Sequence, residues 1–186
     1  MASDQETREA RARPEAANGP IPSGPLRVVS GRSRVGFRIR KMGLYYVKGR
    51  FRGVEGEIEA APDGSFERGE LRIDAKTITT RMPPRDWHLR TKDFLDVKTY
   101  PEIRVSAEGV ERLPDGELKV TAAFELHGQR RPAELRGHLH EGPAPVLHLE
   151  GVLDRHDFGI RARQPFEMIV GREVHLDVEL ALERSA

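Results

Sequence analysis

The sequence predicts an all-β domain, an antiparallel barrel of about eight strands with one or two short helical segments. From Leu26 onward, apolar and polar residues alternate in short segments that are separated by Gly, Pro and Asp. This pattern is typical of antiparallel sheet with one buried face. A set of about eight strands must also cover its edges, and closing into a barrel removes them. A two-sheet sandwich is the competing architecture on patterning alone.

The strands are predicted from residues that share one face, because successive side chains of a strand point to opposite sides. Val35, Phe37 and Ile39 open the series, with arginines between and beside them. Pro114 to Gly116 predict a turn, since Pro presets φ and Gly accepts a positive φ. The further inward-facing sets, in chain order, are Phe51 and Ile58; Leu71, Ile73 and Ala75; Ile103, Val105 and Ala107; Leu118, Val120, Ala122, Phe124 and Leu126; Leu135 and Leu139; Leu147, Leu149 and Leu153; and Val174, Leu176, Val178, Leu180 and Leu182.

Several residues predicted to face inward are small, which favours a hollow barrel. They are Ala75, Ala107, Ala122, Ala133 and Gly137. A barrel of about eight strands is just wide enough for ordinary side chains to fill, so small ones leave space for a ligand. Small residues also suit strand crossings or a tapered end. A hollow and a solid interior therefore both stay open at this point.

Length and composition suit one compact domain. The chain has 186 residues, 37% of them apolar, which is enough to bury a core. Lys and Arg number 31 against 30 for Asp and Glu, so the net charge of +1 supplies no general attraction to nucleic acid. Cysteine is absent, which excludes disulfides, a thiolate nucleophile and a Cys-based zinc site.

Residues 1–25 differ in composition from the rest, being rich in Arg, Glu, Ala, Pro and Gly with almost nothing apolar. Such a segment buries too little surface to offset its ordering entropy, so it is predicted to be a flexible polar arm, and residues 26–186 the barrel domain. No window approaches the ~18 apolar residues of a membrane span, and the start has no apolar stretch of a secretory signal. We therefore expect a cytoplasmic protein.

The densest group of polar residues lies in RDWHLRTKDFLDVKTYPEIRV, residues 85–105. Asp86, His88 and Asp93 could in principle orient a base or bind a metal. No nucleophile accompanies them, and no strained elbow exposes a hydroxyl. The segment is therefore predicted to be a hinge or lid in which Arg85 and Asp86 satisfy backbone groups. Its apolar side chains are predicted to dock against the barrel end: Trp87, Leu89, Phe94, Leu95 and Val97.

Histidines also recur on one predicted strand. His138 and His140 stand two apart and share a face, with His148 on the following strand, a spacing compatible with a metal. That face is opposite to Leu135 and Leu139, so a solvated outer surface is the prediction, and no metal site is assigned.

Five segments carry a resemblance to a known family. VGFRIRKMGLYYVKGRFRGVEGEIE, TITT, RDWHLRTKDFLDVKTYPEI, FELHGQRRPAEL and LDRHDFGI follow one another between residues 33 and about 183. In this order they resemble the signatures of the YceI-like family of lipocalin-like, polyisoprenoid-binding proteins. The motif residues are Arg85, Asp86, His88, Leu89, Phe94, Tyr100, Pro101, Gly128, Arg155, Asp157, Phe158 and Gly159.

The resemblance implies a lipocalin-like barrel with helical segments near one end and an apolar pore that holds a long isoprenoid chain. Two features depart from the family pattern. Lys41 stands where the family usually has His before the Met-Gly of its first hairpin, and Pro83 and Pro84 stiffen the approach to Arg85. The signal peptide of exported members is also replaced by the polar arm, so a periplasmic location is not implied.

We therefore predict a non-catalytic protein that binds an amphiphilic isoprenoid lipid, either a polyprenyl chain or an isoprenoid quinone, without a catalytic cofactor. Burial of the chain at ~0.8 kcal/mol per CH₂ would drive binding. The mouth is predicted to be formed by Trp87, Phe94, Arg85 and His88. The predicted apolar lining consists of Val35, Phe37, Ile39, Ile73, Ile103, Val105, Val120, Phe124, Leu149, Phe158, Phe166, Met168 and Val178.

Two alternatives from other classes stay open. One is an enzyme or enzyme accessory that acts on a lipid-like substrate in the same cavity. The other is a stress-response interaction module with a closed core. A homodimer is also left open.

Overall fold

A computed structural model describes residues 23–61, 66–140, 142 and 144–185. Residues 1–22, most of the predicted arm, lie outside the described residues. The first strand begins at Gly24, so the part of the chain from 24 to 25 is already strand. The strands are β1 Gly24–Val28, β2 Arg34–Lys41, β3 Tyr45–Phe51, β4 Val54–Ala60, β5 Phe66–Asp74, β6 Glu102–Arg112, β7 Leu118–Leu126, β8 Gln129–His140, β9 Val146–Asp154 and β10 Val170–Arg184.

The helical segments are short. Two α-helices, α1 Pro83–Arg90 and α2 Phe166–Ile169, are accompanied by 3₁₀ turns at Ser30–Arg32, Ala75–Thr77 and Arg155–Phe158. None of the helices in the described ranges is both long and apolar enough to cross a membrane. Ala75, predicted on a strand, lies in a 3₁₀ turn but is still buried.

The described strands form one antiparallel sheet in the order β1-β4-β5-β6-β7-β8-β9-β10-β2-β3, and β1 also pairs with β10. That last pairing closes an eight-strand barrel, as predicted. The long β10 makes closure possible because it pairs with β2 over its first part and with β1 over its last. In the same way β4 pairs with β1 and β3 with β2. Around the barrel, β1 and β2 therefore act together as one long, interrupted strand, and β3 and β4 act as another.

One seam of the barrel is closed by other means. β4 pairs with β5 along its length, but β3 meets the chain beyond β5 at the Arg50–Thr79 bridge, with both N···O distances at 2.9 Å. The Thr77 hydroxyl accepts hydrogen bonds from the backbone N–H groups of Arg52 and Gly53, at 3.1 and 3.0 Å, and so fixes the break between β3 and β4. Thr77 and Thr79, in the segment that leads to α1, therefore lie along this seam.

Part of the barrel interior is a packed apolar core. Leu26, Val54 and Leu182, on β1, β4 and β10, are fully buried. They belong to a continuous apolar cluster to which every described strand contributes residues. The predicted period-two alternation is visible in β7, where Val120, Ala122 and Phe124 face in.

Candidate functional site

A cavity of about 700 Å³ lies inside the barrel, within the ~300 to 1,000 Å³ range of small-molecule sites. Its wall is almost entirely aliphatic and aromatic. Tyr45, Met82 and Phe166 border the cavity and are also exposed, so the cavity reaches the surface beside the β2–β3 turn, α1 and α2. We call this opening the mouth.

The structure places most of the predicted lining and mouth residues on the cavity wall. They come from strands that are distant in sequence, and they meet because each strand directs alternate side chains inward. Those on the wall are Val35, Phe37, Ile39, Ile73, Arg85, His88, Phe94, Ile103, Val105, Val120, Phe124, Leu149, Phe158, Phe166 and Val178.

Two predicted residues are placed elsewhere. Met168 is 82% exposed and does not line the cavity, which corrects its assignment. Phe166 and Met168 were both predicted to line the cavity, but they lie in helix α2, where residues two apart point to nearly opposite sides, and only Phe166 reaches the wall. Trp87 is 69% exposed and also lies outside the wall. In helix α1 the inward stripe is Arg85, His88 and Leu89, so Trp87 faces away.

Only some of the small residues that were predicted to leave space border the cavity. Ala107 and Ala122 border the cavity, and they are direct cross-strand partners. Ala133 pairs with Ala122 from the other side and packs against the apolar cluster. Ala75 is buried without lining the cavity, and Gly137 lies where β8 and β9 approach closely. The interior is hollow at the level of Ala107 and Ala122.

Some wall residues are not among those that the sequence pattern predicts. Lys41 and Tyr45 are cross-strand partners that continue the inward face of Ile39 past the apolar part of β2. The alternation itself would have found them, but polar residues were assumed to face out. Arg68 lines the cavity near the start of β5, beside a bulge that shifts the pairing of β4 with β5. Ser, Thr, Cys, Asp and Glu are missing from the described wall residues.

Asp86 anchors helix α1 to the seam. Its carboxylate is buried and accepts hydrogen bonds from the backbone N–H and the hydroxyl of Thr80 and from the hydroxyl of Thr79. Burial alone would raise the pKa of Asp86, but these hydrogen bonds and the nearby Arg90 charge outweigh it, so the pKa lies below the ordinary value. Arg85 is held beside it, donating to the Thr80 hydroxyl at 2.7 Å and to the Thr80 carbonyl at 3.2 Å.

His88 is the imidazole at the mouth. Its Nε2 lies 3.1 Å from Asp93 Oδ2, and the other oxygen of Asp93 accepts from Arg163 Nε at 3.0 Å. The ring contacts Phe94 and Phe166 edge-on, with centroids 5.1 and 5.4 Å away. A carboxylate-oriented imidazole is suited to general base chemistry. The described wall, however, holds no Ser, Thr, Cys, Asp or Glu beside it, and the hydroxyl on that wall is the phenol of Tyr45.

A second polar cluster braces the connection between β9 and β10. Arg155 is only 4% exposed and donates to the carbonyls of Ile160, Val170 and Gly171 and to Glu167 Oε2. Glu167 also pairs with His156 and accepts from a backbone N–H. Burial raises the pKa of Glu167, but the Arg155 hydrogen bond and charge lower it more, so the pKa lies below the ordinary value. Arg155 touches the cavity, yet its donors are occupied by structural partners.

The remaining motif residues form turns. Adding a Cβ to Gly128, which has φ 72°, would place it 2.7 Å from the Tyr100 ring. The neighbouring His127 contacts that ring and has its Nδ1 3.2 Å from the Phe158 carbonyl oxygen. The Pro101 carbonyl accepts from Ala75 N–H. Gly159, with φ 70°, ends the 3₁₀ turn that contains the exposed Asp157.

The histidines on the outer wall are not gathered with other ligands. His138 and His148 are cross-strand partners on β8 and β9, and His148 Nε2 lies 3.1 Å from Asp177 Oδ1. Within the described ranges, no three His, Cys, Asp or Glu residues are grouped so that they could hold a metal ion.

Comparisons with known proteins match this architecture. The YceI-like domain model matches residues 26–182. A UPF0312 protein of Vibrio cholerae is 26% identical over 161 residues, covering 80% of this chain and 79% of its own length. A UPF0312 protein of Pseudomonas syringae pv. tomato is 29% identical over 143 residues, covering 70% of this chain and 72% of its own.

Solved structures share the fold. The crystal structure of Burkholderia cenocepacia BcnA has a TM-score of 0.76 at 17% identity, covering 84% of this chain and 99% of BcnA. A polyisoprenoid binding domain from Saccharophagus degradans, implicated in plant cell wall breakdown, has a TM-score of 0.63 at 15% identity, covering 86% and 98%. With the barrel, the motif turns and the family model in agreement, the chain belongs to the YceI-like domain family.

Proposed function

We propose that this protein binds a long isoprenoid chain, a polyprenyl lipid or the tail of an isoprenoid quinone, inside the barrel, without covalent chemistry. The observation that carries the proposal is the apolar cavity of about 700 Å³ that reaches the surface at the mouth. The description of the Saccharophagus degradans relative as a polyisoprenoid binding domain supports the same ligand class.

The energetics suit a ligand with one apolar end and one polar end. Each buried CH₂ contributes ~0.8 kcal/mol, so a chain of a few tens of carbons offsets an association cost of ~4 to 15 kcal/mol with few polar contacts. The polar wall residues near the mouth are Lys41, Tyr45, Arg85 and His88. A ligand inserted tail first would place its head group among them.

The test measures the ligand and the chain-length dependence separately. Protein purified from cells is examined by native mass spectrometry, with lipid extraction to identify any bound mass. Delipidated protein is then titrated with prenyl alcohols of increasing length. We expect a bound isoprenoid mass and an affinity that rises with each added isoprene unit until the cavity is filled. A bare protein mass together with no binding of any prenyl alcohol contradicts the proposal.

A further inference from the structure

Large apolar side chains are exposed around the mouth. Met42 and Leu44 lie in the turn between β2 and β3, Met82 and Trp87 at helix α1, and Phe166 and Met168 in helix α2. Leu44 is 84% exposed, Met168 82% and Trp87 69%. We call these six residues the rim. The other exposed large apolar residues in the described ranges are Tyr45 and Tyr46 on the same hairpin and Val152 on the outer wall.

The three rim segments are neighbours in the fold, because hydrogen bonds, a ring contact and an ion pair join them. Met42 N–H donates to the Ile169 carbonyl at 2.7 Å, which joins the hairpin turn to α2. The His88 ring lies against Phe166, and Asp93 pairs with Arg163, which joins α1 to the segment before α2. Soluble proteins rarely gather exposed apolar groups in this way unless the surface meets a partner.

The charge around the rim is cationic. The hairpin carries Arg38, Arg40, Lys41 and Lys48 and no acidic residue between them. Near the other rim segments, Asp93 pairs with Arg163 and Glu167 with Arg155, which offsets the charges of these two carboxylates. Asp86 keeps its charge, because its partners are neutral threonines, but it is buried and lies in the same helix as Arg85 and Arg90.

We propose that the rim docks the protein onto a membrane that contains anionic lipid, with the mouth facing the bilayer. Apolar and aromatic side chains beside Lys and Arg are the combination that inserts into the interface between head groups and acyl chains. Trp is favoured there because its ring is apolar and its N–H is polar. Met82 and Phe166 belong to both the rim and the cavity wall, so a docked bilayer would be continuous with the cavity. The proposal rests on the exposed side chains and not on which ligand occupies the cavity.

Trp87 allows a direct test because it is the only Trp of the chain and lies on the rim. The full chain is mixed with vesicles of phosphatidylglycerol and phosphatidylcholine, or of phosphatidylcholine alone, and binding is followed by Trp emission and by co-sedimentation. We expect a blue shift and sedimentation with the anionic vesicles, weaker binding to the neutral ones, and loss at high salt. Soluble glycerol phosphate should cause no shift, which separates a bilayer from a free phosphate.

Three variants locate the surface. Leu44→Glu and Met168→Glu each place a charge on the rim and should weaken vesicle binding by about tenfold or more. Val152→Glu makes the same kind of change on the outer wall, at a residue 47% exposed, and should leave binding unchanged. Equal melting temperatures establish that each variant is folded.

The outcomes separate this proposal from the proposed function. No vesicle binding by the unchanged protein, undiminished binding by both rim variants, or equal loss with Val152→Glu would overturn membrane docking, and the rim would then serve a protein partner. Prenyl alcohol binding is measured on the same samples without vesicles, so that failure of isoprenoid binding is seen independently.

Discussion

Ala122→Phe tests whether the barrel interior receives a ligand. Ala122 is 1% exposed, borders the cavity and faces Ala107 across the strand pair. A phenyl ring added there enters space within the cavity of about 700 Å³ rather than packed atoms. In a filled core the same change would force neighbours apart at a cost of ~1 to 3 kcal/mol. We therefore expect the free energy of unfolding of delipidated protein to change by less than ~1 kcal/mol.

The effect on ligand binding should be much larger. If the ring displaces about five carbons of the chain, the loss is roughly 4 kcal/mol at ~0.8 kcal/mol per CH₂. That corresponds to about a thousandfold rise in Kd, an upper value because a flexible chain bends around the ring. The assay pairs urea midpoints with titration of a fluorescent prenyl analogue.

Thr121→Phe is the matched control, because Thr121 is the neighbouring residue of β7 and is exposed on the outer face. It should alter neither stability nor binding. Strong destabilisation by Ala122→Phe, together with no analogue bound by the unchanged protein, would refute the hollow-barrel reasoning.

Three further predictions concern stability. Asp86→Asn should lower the free energy of unfolding by ~1 to 3 kcal/mol at neutral pH, because Thr80 loses a charged acceptor. Since the folded pKa of Asp86 is below its ordinary 3.8, this stabilisation is complete above pH 3.8 and is lost as pH falls through the folded pKa. A difference in urea midpoint between the unchanged protein and Asp86→Asn that persisted in strong acid would contradict this. Arg155→Met should cost ~3 to 5 kcal/mol, because it removes the cationic partner of Glu167 and the buried donor of three carbonyls; a melting temperature near the original would show that these bonds contribute little. Phe124→Ala should cost less than the ~3 to 5 kcal/mol typical of a packed core, because its ring borders empty space; a full loss in calorimetry would place the ring in a packed environment.

The cavity wall could be predicted because a strand has a period of two. Once Phe37 was assigned inward, Val35 and Ile39 followed, and the same held for Val120 and Phe124 on β7. These assignments depend only on local geometry, which the sequence pattern expresses.

Other features depend on contacts between distant segments. The sequence pattern did not predict β1. This strand has only five residues, one of which is Pro25, so its alternation is too short to be recognised. Its position is set by pairing with β10. The division between β3 and β4 follows from which partner each half meets. Met168 was wrongly predicted to line the cavity, because the single helical turn that directs it outward has no clear sequence pattern.

The seam between β3 and the chain after β5 affects how easily the diameter of the barrel can change. Elsewhere neighbouring strands are held ~4.8 Å apart by backbone ladders, which resist stretching. At the seam, the wall is held together by the Arg50–Thr79 bridge and by side-chain hydrogen bonds of Thr77 and Asp86. A neutral bond contributes ~0.5 to 1.5 kcal/mol and a bond to the Asp86 carboxylate ~1.5 to 3 kcal/mol, and these bonds are few, so widening this end costs less than opening a full ladder. Under the proposed function, a ligand would therefore be selected by its thickness less strictly at the mouth than along the rest of the barrel.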